Sequence, residues 1–262
     1  MNYETILYDI KRDGIARITF NQPEMRNPLS KQVTEELIHA IKKADNDIQV
    51  KVIVLTGAGK AFSAGGNLNE FKENFTKSVP ELHMEGKEST ELFKLGATVK
   101  TPIIASVNGP ALGGGCGIVA MSHIAIASEE AQLGLTELRL GIVPYVILPW
   151  VRRAVGNRKV MELMLTAEIF SARQAKEYGL VHRVVPHNEL EEETHKVAQN
   201  IASYSPLAVS LALESFYSTE QMDLMKSFDY LSTLRIISFQ SEDLKEGAQA
   251  FLEKRSPVWL GK

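Results

Sequence analysis

Two glycine-rich segments suggest chemistry at the ends of two buried strands. Residues 61–68 (AFSAGGNL) follow a short apolar run at 50–56, and residues 108–117 (NGPALGGGCG) follow a similar run at 103–107. Glycine lets a ligand approach the backbone closely, because no Cβ intervenes. Backbone N–H groups from both segments could meet at one oxygen atom and form an oxyanion hole. The alternative is two tight turns that bind nothing.

Glu137 is the candidate acid or base. It lies within GLTELRLG (134–141) and is surrounded by leucines at positions 133, 135, 138 and 140. Apolar surroundings raise the pKa of a carboxyl group, which lets it exchange protons near neutral pH. The alternative is a carboxylate that faces solvent from a short helical turn.

The cysteine and histidine pattern argues against metal and disulfide chemistry. Cys116 is the only cysteine, so one chain can form neither a disulfide nor a multi-cysteine metal site. A position near a helix start would lower the pKa of its thiol, but no histidine lies beside it in sequence. We therefore expect a small buried packing residue rather than a nucleophile. His182 and His187 are five residues apart in a strand-and-turn region, and we expect no metal site there.

Composition predicts a soluble globular protein. Of the 262 residues, 44% are hydrophobic and 23% are charged, and the formal net charge is -3. That charge gives no reason to expect nucleic acid or an anionic membrane as a partner. Residues 1–20 alternate apolar and charged residues, and the longest nearly apolar stretch, 140–151, is too short to span a bilayer. We expect a cytoplasmic location.

Strands and helices alternate in the first part of the chain. Residues 6–10 and 15–20 predict a β-hairpin that turns at Asp13-Gly14, and Ser30 is a plausible N-cap for the helix that follows. The apolar runs already described, together with 124–127, predict buried parallel strands in an α/β core. After Val185 the pattern becomes helical. Ligands collect at the carboxyl ends of such strands, which is where both glycine-rich segments lie.

Taken in order, these motifs resemble the crotonase (enoyl-CoA hydratase/isomerase) superfamily. The resemblance rests on Thr56-Gly57, AFSAGGNL, PIIASVNGPALGGGCG (102–117), GLTELRLGIVP, SARQAKEYGLV (171–181) and EGAQAFLEKR (246–255). It implies an α/β fold with a spiral of ββα units and an acyl-CoA site in residues 1–195. It also implies an α-helical C-terminal region, residues 196–262, that builds homotrimers, often paired into hexamers.

The resemblance also implies roles for single residues. Gly66 and Gly114 match the two backbone donors to the thioester oxygen, and Glu137 matches a catalytic glutamate. The positions expected to contact coenzyme A or the acyl group are Met25, Ala64, Gly66, Leu68, Gly114, Tyr145, Phe251 and Lys254. In many members, the last two positions reach coenzyme A across a subunit contact. The implied substrate is an acyl-CoA thioester, with no metal and no cofactor besides the coenzyme A it carries.

Three positions depart from the pattern of typical hydratases. Gly117 stands where they carry the first of two glutamates, Asn67 stands where many members have aspartate, and Tyr145 stands in place of a glycine. We expect a glutamate at position 117 to be sterically tolerated. Residues 135–151 resemble hydratases of the methylglutaconyl-CoA type, which often have this glycine. The resemblance therefore favours syn hydration of an enoyl-CoA, branched or otherwise modified, by a single glutamate.

Three other activities stay open at this point. A decarboxylase needs the oxyanion hole but no water-holding glutamate, and Tyr145 could act there, although we favour Tyr145 as a wall residue. A double-bond isomerase needs one base that moves a proton between C2 and C4, which Glu137 alone could do. The third is a non-catalytic member that binds coenzyme A without turnover.

Overall fold

The fold is built on one large sheet and two small ones. The computed structural model describes residues 2–10 and 13–262. The strands in that part of the chain are β1 (Ile6–Ile10), β2 (Ile15–Phe20), β3 (Pro28–Leu29), β4 (Val52–Gly57), β5 (Gly65–Gly66), β6 (Ile103–Val107), β7 (Ala111–Leu112), β8 (Ile124–Ser128), β9 (Gln132–Gly134), β10 (Ile169–Ser171) and β11 (Arg183–Val185).

Helices connect these strands and then follow them. The α-helices are α1 (Lys31–Asp45), α2 (Leu68–Glu73), α3 (Val79–Thr98), α4 (Gly114–Met121), α5 (Leu148–Thr166), α6 (Ala172–Glu177), α7 (Leu190–Ala202), α8 (Pro206–Thr219), α9 (Leu224–Gln240) and α10 (Glu242–Glu253). Single 3-10 turns occur at Pro23–Met25, Asn74–Thr76, Glu137–Leu140 and His187–Glu189. Within residues 2–10 and 13–262, no helix combines the length and the apolar character needed to cross a membrane.

The large sheet confirms the predicted parallel core. Its strand order is β1-β2-β4-β6-β8-β11, and every neighbouring pair after the β1–β2 hairpin is parallel. Gly14 takes φ +80° at the predicted turn, while Lys11 and Arg12 lie outside the described residues. β6 is buried along its whole length, as expected for a strand covered on both faces.

The small sheets lie just beyond the carboxyl ends of two central strands. β5 follows β4 and pairs with β3, while β7 follows β6 and pairs with β9, which also pairs with β10. A further parallel bridge joins Ser63 to Ala111. The two segments that leave the sheet are thereby held against each other.

α5 was not anticipated from the sequence. Residues 140–151 suggested only an apolar stretch, but the helix begins at Leu148 with a proline in its first turn, where proline is tolerated. Gly156, at φ 78° and ψ 166°, interrupts the helix with a kink. The side chains of Val151, Val160 and Leu163 face the core.

α7 belongs with the sheet rather than with the helices that follow. Leu190, Val197 and Ala198 are buried against strand residues such as Val52 and Ile104. The predicted division between residues 195 and 196 therefore falls inside α7, and the sheet layer extends to Ala202.

α8 and α9 expose several large apolar side chains. The exposed set includes Phe216, Leu224, Met225, Phe228, Ile236, Ile237 and Phe239. Contiguous exposed apolar surface of this kind commonly marks an interface. The oligomerisation role of residues 196–262 stays a prediction.

Glu36 on α1 fixes the N-terminal segment to the core. Ser30 caps this helix as predicted, accepting a hydrogen bond from the Val33 N–H at 3.1 Å. The Glu36 side chain is only 1% exposed, and its Oε2 accepts from the Thr5 N–H at 2.9 Å and the Thr5 hydroxyl at 2.8 Å. Burial alone would raise the pKa of Glu36, but these hydrogen bonds lower it overall.

We expect Glu36→Ala to lower the free energy of unfolding at pH 7 by about 3 kcal/mol, because it removes a charged acceptor and leaves buried donors unpaired. The difference from wild type should shrink as the pH falls through the lowered pKa of Glu36, where the protonated carboxyl loses acceptor strength. Urea denaturation across pH measures both effects. Glu35→Ala, at an exposed position on the same helix, is the control and should change stability little. Equal losses for the two variants would contradict this role of Glu36.

Candidate active site

The two glycine-rich segments are hydrogen-bonded directly to each other. The N–H groups of Phe62 and Ser63 donate to the Pro110 carbonyl at 3.1 Å, and the Leu112 N–H donates to the Ser63 carbonyl at 3.0 Å. Gly65 takes φ +88°, and a Cβ there would lie 2.6 Å from the Leu112 carbonyl oxygen. Only glycine allows so close an approach with this backbone conformation.

Gly66 and Gly114 line the same cavity, which has a volume of about 720 Å³. Gly114 is the first residue of α4, so its N–H has no acceptor within the helix and points out of the positive helix end. A Cβ built on Gly65 would lie 3.3 Å from the Gly114 nitrogen, so the backbones of the two segments are in close contact at this point. The donor roles of Gly66 and Gly114 stay predictions that this arrangement supports.

Asn27 holds the first segment in place, and the sequence analysis missed it. It is 1% exposed and adopts φ 55°, a left-handed conformation that asparagine tolerates better than most residues. Its Nδ2 donates to the carbonyls of Ala58 at 2.9 Å and Ala61 at 2.8 Å, and its own carbonyl accepts from the Ser63 hydroxyl at 2.7 Å. The Asn27-Pro28 dipeptide, a typical turn signal, was the only hint in the sequence.

Glu137 is brought to the second segment by a strand pair. β9 pairs with β7 in parallel, and the Gly113 N–H donates to the Gly134 carbonyl at 2.9 Å. Glu137 then opens the 3-10 turn Glu137–Leu140 and lines the cavity. A Cβ on Gly113 would lie 3.2 Å from Glu137 Oε1, so the carboxylate lies against the residue that precedes Gly114.

The carboxylate of Glu137 is half-buried. Its Oε2 atom is buried and has no hydrogen-bond partner among the described residues. Burial raises the pKa of Glu137 above its ordinary value, with a partial opposing effect from its own backbone N–H. This partly buried setting agrees with the predicted upward pKa shift and disfavours a fully solvent-facing carboxylate, although the residue does lie on a short helical turn.

Cys116 is a packing residue, as predicted. Its side chain is fully buried, and burial together with the charge of Glu137 raises the pKa of the thiol to about 12. A thiolate is the nucleophilic form, so this cysteine is inert at neutral pH.

Gly117 faces a filled wall instead of an open cavity. A Cβ there would lie 2.6 Å from Ile147 Cβ and 3.0 Å from Phe93 Cε1. Ile147 is itself 1% exposed, and its Cβ cannot move without its backbone. The expectation that glutamate is sterically tolerated at position 117 is therefore wrong for this chain.

The remaining predicted contact residues divide into two groups. Met25, Ala64, Leu68 and Tyr145 line the cavity together with Gly66 and Gly114. Phe251 and Lys254 do not line it, because they lie at the end of α10, where Phe251 is 83% exposed. Their role in binding coenzyme A stays a prediction.

The cavity wall is mostly apolar. Its charged members among the described residues are Glu137 and Arg139, and Arg139 Nη2 donates to the Ala167 carbonyl at 2.5 Å. Asn67, which lies where many relatives have aspartate, caps α2 by accepting from the Asn69 N–H at 3.0 Å. Within the described ranges, no group of three or more potential ligands is placed to hold a metal ion.

Comparisons with known proteins agree on one family. The family model described as enoyl-CoA hydratase/isomerase matches residues 11–262. The short-chain-enoyl-CoA hydratase of Clostridium acetobutylicum is 34% identical over 247 residues, which cover 94% of each chain.

Solved structures superpose along the whole chain. An enoyl-CoA hydratase from Bacillus anthracis matches with a TM-score of 0.92 and 34% identity, covering 99% of this chain and 100% of that one. The human enoyl-CoA hydratase domain-containing protein 3 matches with a TM-score of 0.91 and 32% identity, covering 98% and 100%. The predicted crotonase-like α/β fold is confirmed.

We expect Gly117→Ala to lower the free energy of unfolding by about 1–3 kcal/mol, because the added methyl group overpacks the contact with Ile147. In an Ile147→Gly background the same substitution should cost less than half as much, since the obstructing side chain is gone. Urea denaturation of the four proteins in this cycle measures the coupling.

Gly86→Ala is the matched control. Gly86 lies within α3, and a Cβ there would meet nothing within 4 Å. Alanine should therefore stabilise this helix by up to about 1 kcal/mol. If the changes in the free energy of unfolding at positions 117 and 147 are simply additive, Ile147 does not restrict position 117.

Proposed function

Since the chain belongs to the enoyl-CoA hydratase/isomerase family and is an enzyme of that family, we propose that it hydrates an α,β-unsaturated acyl-CoA with one catalytic carboxylate. The observation that carries the proposal is the placement of Glu137. Its half-buried carboxylate, whose Oε2 atom has no hydrogen-bond partner among the described residues, lies against Gly113. Gly113 directly precedes Gly114, and Gly66 lines the same cavity.

The two backbone N–H groups stabilise the negative charge that develops on the thioester oxygen. Addition of water at C3 passes through an enolate-like anion, whose charge rests mainly on that oxygen. Fixed donors aimed at an oxyanion lower the barrier without reorganising, and losing one such donor typically costs about 3–4 kcal/mol. The contact between the two glycine-rich segments supports this use of Gly66 and Gly114.

Glu137 acts first as base and then as acid. Its carboxylate takes one proton from a water molecule while the water oxygen bonds to C3 and the C2=C3 electron pair moves toward the thioester. The resulting carboxylic acid returns a proton to C2 from the same face, so water and proton add syn and one water is consumed. Its raised pKa makes the carboxylate a stronger base toward the water molecule than an ordinary glutamate would be.

The cavity wall supports an acyl group that is branched or otherwise modified. Ile147 and Phe93 pack against Gly117 and form an apolar part of the cavity wall. Tyr145 lines the same cavity, with its side chain 73% exposed. Met25, Ala64 and Leu68 would contact the coenzyme A portion, which is part of the substrate. We expect the reaction to need neither a metal ion nor a separate cofactor.

We further propose a homotrimer or a dimer of trimers. Phe251 and Lys254 lie away from the cavity of their own chain, and α8 and α9 expose large apolar side chains. In a trimer, the end of α10 from one subunit would reach the coenzyme A bound to another. Sedimentation velocity tests this, and a monomer at micromolar concentration would contradict it.

Isomerisation is the second candidate. The specific observation in its favour is that Glu137 is the only carboxylate lining the cavity within the described residues. One base suffices to move a proton between C2 and C4. Decarboxylation of a carboxyacyl thioester, with Tyr145 in the pocket, is distinguished from both by its product. A non-catalytic role is disfavoured because the donor loops and the buried carboxylate are all present.

We expect Glu137→Gln to reduce turnover at least about a hundredfold while binding of the acyl-CoA changes little, because glutamine keeps the shape but cannot exchange a proton. The measurement uses a panel of enoyl-, dienoyl- and carboxyacyl-CoA esters followed by mass spectrometry. A gain of about 18 mass units in the wild-type reaction indicates hydration, a loss of about 44 indicates decarboxylation, and an unchanged mass with a shifted spectrum indicates isomerisation. Near-wild-type turnover in the variant would remove Glu137 from the mechanism.

The pH dependence of kcat/KM should report the raised pKa of Glu137. The base must be ionised, so activity should fall as the pH drops through a value above that of an ordinary glutamate. Steady-state kinetics across the acidic range measures this limb. An acidic limb at or below the ordinary glutamate pKa would show that a different group controls the rate.

A further inference from the structure

A single carboxylate provides a hydrogen-bond acceptor for only one of the two hydrogens of the attacking water. Glu137 can hold one hydrogen of the water, but the other hydrogen needs an acceptor to fix the direction of the lone pair that attacks C3. The place of a second carboxylate, beyond Gly117, is filled by Ile147. A different polar group in the cavity must therefore orient the water if hydration is efficient.

We propose that the Thr136 hydroxyl orients the attacking water together with Glu137. This inference rests on the proposed hydration. Thr136 then has a role that depends on its Oγ1 atom and not merely on its position before Glu137.

The hydroxyl and the carboxylate face the same spot. A Cβ built on Gly113 would have as its nearest neighbours Glu137 Oε1 at 3.2 Å and Cδ at 3.5 Å, followed by Thr136 Oγ1 at 3.8 Å. Gly113 has no side chain, so this side of its backbone is open between the two oxygen atoms. Both Thr136 and Glu137 line the cavity, and the next residue after Gly113 is the donor Gly114.

The Thr136 hydroxyl does not make the capping hydrogen bond that a threonine at this position normally makes. Thr136 is the N-cap of the 3-10 turn Glu137–Leu140, where a threonine oxygen ordinarily accepts from a backbone N–H of the turn. Here the side chain makes no such capping bond. The neighbouring Oε2 atom of Glu137 is buried and has no hydrogen-bond partner among the described residues, so polar groups of two adjacent residues are available at one edge of the cavity.

Two other polar side chains of the cavity are already engaged. Asn67 accepts from the Asn69 N–H, and the Ser89 hydroxyl donates to the Gly86 carbonyl at 3.0 Å. Thr136 is distinguished from both by its free hydroxyl and its position beside the base.

In the proposed step, Thr136 Oγ1 accepts a hydrogen bond from the hydrogen that stays on the water. Glu137 takes the other hydrogen as the water oxygen bonds to C3, and the proton then goes to C2. Thr136 loses and gains no proton, so the products are those of hydration alone. The hydroxyl contributes by fixing the direction of attack.

The test compares Thr136→Val, which keeps the shape but removes the hydroxyl, with Thr136→Ser, which keeps the hydroxyl. With an enoyl-CoA that the wild type hydrates, Thr136→Val should lower kcat about tenfold to a hundredfold, since misdirected attack costs about that much. KM should stay within about twofold, and Thr136→Ser should retain most of the wild-type kcat.

A second readout separates water orientation from a structural role. Exchange of the C2 protons of butyryl-CoA with deuterated solvent needs the oxyanion hole and Glu137 but no attacking water. Thr136→Val should exchange these protons at the wild-type rate although it hydrates poorly. Hydration by Thr136→Val within about twofold of wild type, or a parallel loss of exchange and hydration, would overturn the inference. If the wild type hydrates no enoyl-CoA, the proposed hydratase function is wrong. If the wild type hydrates an enoyl-CoA and Thr136→Val does so equally well, only the role of Thr136 is wrong.

Discussion

The direct hydrogen bonding between the two glycine-rich segments is the constraint on which the site depends. Two backbone N–H groups can serve one oxygen only if the segments that leave two different strands touch each other. The bonds from Phe62, Ser63 and Leu112 fix that contact, and Gly65 is needed because any side chain would meet the Leu112 carbonyl. Asn27 supports the same contact through its hydrogen bonds to Ala58, Ala61 and Ser63.

Much of the fold could be predicted because its signals are local. The Asp13-Gly14 turn and the Ser30 cap depend on residues that lie close to each other in sequence. The small sheets could not be predicted in this way. β5 and β7 have two residues each, and they exist because distant segments pair with them. The division predicted between residues 195 and 196 falls inside α7, because the apolar face of that helix is explained only by the strands it packs against.

The candidate site shows a similar division. The two glycine-rich segments and Glu137 could be singled out by residue type and position, while the resemblance to the family indicated Gly66 and Gly114 as the individual donors. Ile147 could not, because its contact with Gly117 joins residues that are 30 positions apart and depends on how α5 begins. The predicted roles of Phe251 and Lys254 could not be tested within one chain, because neither residue lines the cavity of its own subunit.

The packing of Ile147 against Gly117 also restricts how this site can change over evolutionary time. A glutamate at position 117 is blocked while isoleucine remains at position 147, and loss of that isoleucine alone would leave a hole in the core. The two positions are therefore epistatic, and each single step away from the present pair is unfavourable. A lineage that has acquired this pair cannot easily gain a carboxylate at position 117, whichever reaction the site performs.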